Sequence, residues 1–124
     1  MDLTPEIERN VTAALEEDMG SGDLTAMLIA PQARASARVI SRVDAVLCGT
    51  PWFDACFKRL APDTRITWHA RDGDAVHAGQ TLCEMQGAAR ALLTGERTAL
   101  NFLQLLSAVA TVTRDYVEAV RGTR

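Results

Sequence analysis

The sequence predicts an α+β fold, on three observations. Runs that mix apolar and polar residues at short spacing, at 34–47, 64–68 and 76–85, are punctuated by turn residues, which is the pattern of short strands. Helix-start signals stand at Thr4-Pro5-Glu6 and Thr50-Pro51. A third, at Thr94-Gly95-Glu96, opens a run of helical spacing to about Val120, roughly 26 residues and 39 Å at 1.5 Å per residue. With 124 residues, 48% of them apolar, the chain suffices for one hydrophobic core and falls short of two domains of typical size.

Each element follows from local chemistry. Thr4 is a capping residue with Pro5 at the first helical position and Glu6 in the first turn, where a carboxylate complements the helix dipole. Ile7, Val11, Ala14 and Leu15 fall on one stripe of that helix. Asp18-Met19-Gly20-Ser21-Gly22-Asp23 ends it in a polar turn. Between Arg34 and Leu47 lie one long or two short strands. Thr50-Pro51 repeats the start signal, and Trp52, Phe53, Cys56, Phe57 and Leu60 then form a short helix that stops before Pro62. Three of the six aromatic residues sit on this helix, marking it as a core anchor. Thr64–Trp68 reads as a strand with Ile66 and Trp68 on one face. Asp72-Gly73-Asp74 is a tight turn, a second strand runs through Met85, and Gly87 breaks it. Residues 88–93 are compatible with strand or helix. The final helix is apolar nearly all round between Ala99 and Val112, so it is expected to be buried on more than one side.

Composition excludes several classes. A net charge of −3 argues against a nucleic-acid partner held by a basic face. No apolar run reaches the roughly 18 residues of a membrane span, and the first residues lack the basic start and apolar core of a signal peptide. The chain has twelve arginines and one lysine, Lys58, so any lysine chemistry has one candidate. Cys48, Cys56 and Cys83 are odd in number without a close pair, which fits a reduced, cytoplasmic protein better than a disulfide frame. His69 and His77 share no ligand motif, so no metal site is expected from spacing.

Three segments invite a functional reading. The run from Asp72 to Leu82, with Gly79-Gln80 before an apolar residue, is similar to the hairpin of biotinyl and lipoyl carriers. Those carriers need a lysine at the hairpin tip, and Lys58 lies elsewhere, so a plain turn between strands accounts for the run. Gly20-Ser21-Gly22-Asp23-Leu24-Thr25 is rich in glycine, but it follows a helix and lacks a phosphate-binding lysine, unlike a phosphate loop. Arg97, expected in the first turn of the last helix, opposes the dipole there by a few tenths to about 1 kcal/mol. It either pairs with Glu96 or another local acid, snorkels at the surface, or joins free backbone amides in holding a carboxylate or phosphate. The residues alone leave these open.

Several segments in order resemble one family. They are Ala14-Leu15-Glu16-Glu17-Asp18, Gly20-Ser21-Gly22-Asp23-Leu24-Thr25, Ala45-Val46-Leu47-Cys48-Gly49, Asp72-Gly73-Asp74-Ala75-Val76 with Gly79-Gln80, Ala91 to Asn101, and Ser107 to Thr111. Together they resemble quinolinate phosphoribosyltransferase, the carboxylating nicotinate-nucleotide pyrophosphorylase of NAD biosynthesis. Glu96-Arg97-Thr98-Ala99-Leu100-Asn101 is the most specific piece. A molybdenum-transport-associated paralogue shares the fold but lacks this form, so Arg97 disfavours it.

The resemblance implies an open α/β sandwich with a barrel-sandwich-like hairpin region and a long carboxy-terminal helix leading into an α/β barrel. Residues 1–94 would form the sandwich and 95–124 the linking helix. It implies a homodimer in which Arg97 binds a quinolinate carboxylate in the partner subunit's site. It also implies conversion of quinolinate and phosphoribosyl pyrophosphate to nicotinate mononucleotide, pyrophosphate and CO₂, with Mg²⁺ present. The family's Thr-Arg-Lys-Thr run, further basic residues and acidic residues of the phosphoribosyl site would lie beyond Arg124. The 124 residues are therefore expected to hold no catalytic residue and no metal ligand, and to have no turnover alone. The family commonly carries glycine where this chain has Ala108, a substitution that favours helix by about 1 kcal/mol and thickens that face. The competing reading is a biotinyl- or lipoyl-like carrier or interaction module, which would be modified on Lys58.

Overall fold

A computed structural model describes residues 2–20 and 28–121. The elements are α1 (Thr4–Gly20), β1 (Arg34–Ile40), β2 (Ala45–Val46), α2 (Thr50–Leu60), β3 (Arg65–Trp68), β4 (Ala75–Val76), β5 (Thr81–Ala88) and α3 (Ala89–Arg121). This is the expected α+β arrangement. Thr4 begins α1 rather than capping it, and its N–H donates to Asp2 Oδ1 at 2.9 Å. The glycine-rich run after α1 lies, from Ser21 on, outside the described residues.

The larger sheet is antiparallel in the order β1-β5-β3. Arg34 pairs with Ala88 and Val39 with Cys83, but Ile40 pairs with Thr81. Leu82 is thus an extra residue on β5, a bulge that breaks strict alternation and lets Leu82 and Cys83 both enter the core. The segment 34–47 resolves into two strands, because β2 leaves this sheet and pairs with β4. The acidic turn therefore joins β3 to β4 without pairing them; β3 pairs with β5. Gly87 does not end the strand. It lies inside β5, where a Cβ would stand 3.2 Å from Thr64 Oγ1, so the glycine permits a close approach rather than a turn.

The core is built on α2 as its composition suggests. Phe53, Cys56 and Phe57 are fully buried and meet Val11 and Leu15 of α1, Met85 of β5, and Ala99 and Leu103 of α3. Phe53 lies 5.2 Å from Phe57 and 5.2 Å, edge-on, from Trp68, contacts worth about 0.5–1.5 kcal/mol beyond burial. Trp68 Nε1–H donates to Asp54 Oδ1 at 2.8 Å, so the indole's one polar atom is satisfied.

The last helix differs from expectation in two ways. It starts at Ala89, directly after β5, and runs 33 residues, about 50 Å. Gly95 is consequently an interior residue of α3 rather than part of its opening: a Cβ there would lie 2.8 Å from Phe57 Cε1 and 2.9 Å from Leu60 Cδ1. Nor is the helix buried on several sides throughout. Its buried residues run from Ala91 to Leu103, while Leu105, Val109, Val112 and Tyr116 are 57–70% exposed. The eight residues of β5 span only about 27 Å, so α3 outruns the layer beneath it and keeps an uncovered apolar face.

Gly95→Ala separates packing from helix propensity. Propensity alone would stabilise the variant by about 1 kcal/mol, whereas overpacking against Phe57 and Leu60 costs about 1–3 kcal/mol. We expect net destabilisation in a denaturant melt; a more stable variant would show that α2 and α3 have room to part.

Candidate functional site

Arg97 does not stand at a helix amino terminus. Because α3 begins at Ala89, it lies in the third turn, where the backbone amides are engaged within the helix, so an anion site built partly from free amides is ruled out at this position. What directs the side chain is packing. Gly95, Thr98 and Ala99 are buried, and Glu96 and Arg97 between them are exposed. Arg90, seven residues earlier on the same stripe, donates from Nε to the carbonyl oxygen of Ile29 at 2.6 Å. Arg97 is thus an exposed residue in the body of α3, beside the buried Thr98 and Ala99.

Beside this stripe a groove of about 1240 Å³ runs between β1 and α3. Its walls include Val39, Leu100, Gln104 and Ala108, and its depth reaches Phe53 and Met85. Glu96 lines it, while Arg97, one residue on, is not among its lining residues. Ala108 is exposed, so its methyl group narrows the groove mouth without disturbing the core.

Asp72 has a role that the sequence reading assigned only to a turn. Thr50 is not the cap of α2; the cap position is Gly49, with φ 107° and no side-chain capping bond. Asp72, 23 and 22 residues further along, accepts from the N–H groups of Gly49 at 3.2 Å and Thr50 at 3.1 Å. The neighbouring backbone completes the junction: Gly73 N–H donates to Leu47 O at 2.7 Å and Leu47 N–H to Asp74 O at 2.9 Å. Two segments distant in sequence, 45–49 and 72–76, are therefore one structural unit. A glycine directly before Thr50-Pro51 was the one available sequence signal, since glycine at the cap position leaves the helix without a side-chain cap of its own.

The other titratable residues take structural places. All three cysteines are free thiols. Burial pushes the Cys56 and Cys83 thiols up to about 12, and burial together with the Asp72 charge raises Cys48. Asp54 is also raised, chiefly by burial and against the Trp68 hydrogen bond. His69 Nε2 lies 2.8 Å from Glu84 Oε2 across neighbouring strands, and His77 Nδ1 is 3.8 Å from Asp44. Lys58 is exposed in the last turn of α2, away from any hairpin tip, which removes the geometry a carrier needs. Among the described residues no group of three or more His, Cys, Asp or Glu side chains could hold a metal ion. No helix among them is long and apolar enough to cross a membrane.

These features define a small α+β domain in which Arg97 and an apolar stretch of the last helix are exposed. Comparison with known proteins gives the particular family. The chain matches the family described as "Quinolinate phosphoribosyl transferase, N-terminal domain" over residues 23–107 and belongs to it. It is 36% identical over 104 residues to a probable carboxylating nicotinate-nucleotide pyrophosphorylase of Bacillus subtilis, covering 84% of this chain and 36% of the relative. It is 39% identical over 106 residues to the corresponding protein of Synechocystis, covering 86% of this chain and 36% of that protein. A crystal structure of NadC from Streptococcus pyogenes superposes with a TM-score of 0.90 at 36% identity, over 96% of this chain and 43% of that one. The nicotinate-nucleotide pyrophosphorylase of Francisella tularensis gives 0.85 at 38% identity, over 90% and 40%. The chain thus spans about two fifths or less of the relatives it matches.

Two measurements test this site. Asp72→Ala is expected to cost about 0.5–2 kcal/mol, the usual effect of losing a helix cap; an unchanged melt would mean that water replaces the carboxylate. Alkylation with iodoacetamide at pH 8.5 should label Cys48 first and leave Cys56 and Cys83 intact until unfolding, since only an accessible thiolate reacts. Equal labelling rates for the three would contradict the packing described.

Proposed function

We propose that this chain is the amino-terminal, substrate-contributing and dimerisation domain of a quinolinate phosphoribosyltransferase. In this reading the complete enzyme takes quinolinate and phosphoribosyl pyrophosphate to nicotinate mononucleotide, pyrophosphate and CO₂, as a homodimer in the cytoplasm, with Mg²⁺ held by the remainder of the protein. The observation that carries the reading is the family match over residues 23–107, joined to the outward placement of Arg97 on α3.

Quinolinate is a planar dicarboxylate. Arg97 presents a planar fork of donors that matches one carboxylate bidentately, where lysine would offer only a point charge. The resemblance to the family implies that the carboxylate it holds lies in the partner subunit's site, and the exposure of Arg97 on α3 is compatible with that. In this reading α3 (Ala89–Arg121) leads from the sandwich toward an α/β barrel. The exposed apolar stripe from Leu105 to Tyr116 supports this, since an uncovered face of that kind marks an interaction surface. Phosphoribosyl transfer needs clustered cations and a metal-bound pyrophosphate, which one lysine and scattered acids do not supply.

Arg97→Ala in the complete transferase tests the reading. Quinolinate binding should weaken by about 2–5 kcal/mol, the cost of removing one partner of a buried charge pair, with little change in melting temperature. Arg97→Lys should rescue poorly. An unchanged Michaelis constant for quinolinate would take Arg97 out of the site.

A further inference from the structure

The short strand β2 is bonded to β4 along one edge only. Residues alternate in direction along a strand, so Leu47 bonds toward β4, through Asp74 and Gly73, while Val46 and Cys48 face away from it. Their outward groups meet α3. Val46 N–H donates to Thr111 Oγ1 at 2.9 Å and Cys48 N–H to Ser107 Oγ at 3.0 Å. The Ser107 hydroxyl also lies 3.1 Å from Cys48 O, and Thr111 Oγ1 donates to Ser107 O at 2.7 Å.

The spacings explain why two hydroxyls suffice. Residues two apart on a strand are about 6.8 Å apart, and residues four apart on a helix rise about 6 Å. A hydroxyl at 107 and another at 111 therefore track the outward amides at 48 and 46, in antiparallel order, and stand where a third strand would bond. Gly49 allows the close approach: a Cβ there would lie 3.0 Å from Leu106 Cδ1 and 3.4 Å from Phe102 O.

We propose that Ser107 and Thr111 are positioning residues: a two-hydroxyl strap that sets the rotation of α3 about its own axis and thereby aims Arg97 at its carboxylate. The proposal rests on the reading of Arg97 given above. Apolar packing resists separation of α3 from the sheet but is non-directional, whereas hydrogen bonds to fixed amides define an angle. A turn of about 10° moves a side-chain tip at the roughly 5–6 Å helix radius by about 1 Å, and misplacements of about 1 Å cost on the order of a hundredfold in rate.

The test uses Ser107→Ala, the near-isosteric Thr111→Val, their combination, and Thr111→Ser, which keeps the hydroxyl. Backbone exchange in this chain reads the strap itself: the Val46 and Cys48 amides should exchange at least about tenfold faster in the double variant and return toward the parent rate in Thr111→Ser. In the complete transferase the double variant should raise the quinolinate Michaelis constant about tenfold, leave that for phosphoribosyl pyrophosphate unchanged, and recover with Thr111→Ser. If the double variant does not fold, Thr111→Val alone is read in the same two ways. Unchanged exchange overturns the strap. Faster exchange with an unchanged quinolinate constant, while Arg97→Ala raises it, overturns the aiming role and leaves the Arg97 reading standing. If Arg97→Ala itself has no effect, that reading falls, and the aiming role with it, while the exchange rates still report the strap.

Discussion

The closeness of α2 and α3 at Gly95 is the constraint on which the other features hang. With hydrogen as its only side chain, Gly95 lets α3 settle against the Phe57 ring and Leu60, and that contact sets how closely the two helices pack. Thr98, Ala99 and Leu103 then follow into the core. Glu96 and Arg97 are left outside, and further along the same helix an apolar stripe emerges beyond the sheet. A bulkier residue at 95 would raise the helix off its neighbour and alter all of these placements together.

A second level of organisation is polar and local. Asp72 supplies the cap that Gly49 cannot, and the hydroxyls of Ser107 and Thr111 occupy the free edge of β2. The segment 45–50 is thereby tied on one side to the acidic turn and on the other to α3. Hydrogen bonds of this sort add only about 1 kcal/mol each to stability, but they are directional, so they fix how the joined segments are oriented.

Much of the fold was legible in the sequence because its signals are local. The stripe Ile7, Val11, Leu15, the aromatic cluster on α2 and the strand at 65–68 are periodic patterns, and the tertiary structure uses them as written. Boundaries governed by distant contacts were not legible. Gly87 reads as a break and Gly95 as part of a helix start because glycine in isolation lacks a preference for strand or helix; each is instead a site of close approach inside an element. The start of α3 was placed five residues late for the same reason, and with it Arg97 was given a helix-end environment that it does not have. The apolar circumference of α3 predicted burial on more than one side, yet the described residues cover one side of its second half poorly, since no strand beneath is long enough to reach it.

The sequence by itself determined the class of elements, the composition of the core and the family, since these depend on residue type and spacing along the chain. It also singled out Arg97, through the run in which that arginine sits. Only the tertiary structure decided which way Arg97 faces, that Asp72 caps a helix 22 residues away, and that Ser107 and Thr111 complete a strand edge. Those outcomes depend on distances between segments remote in sequence, and such distances are set by how closely side chains, or their absence at glycine, allow the elements to pack.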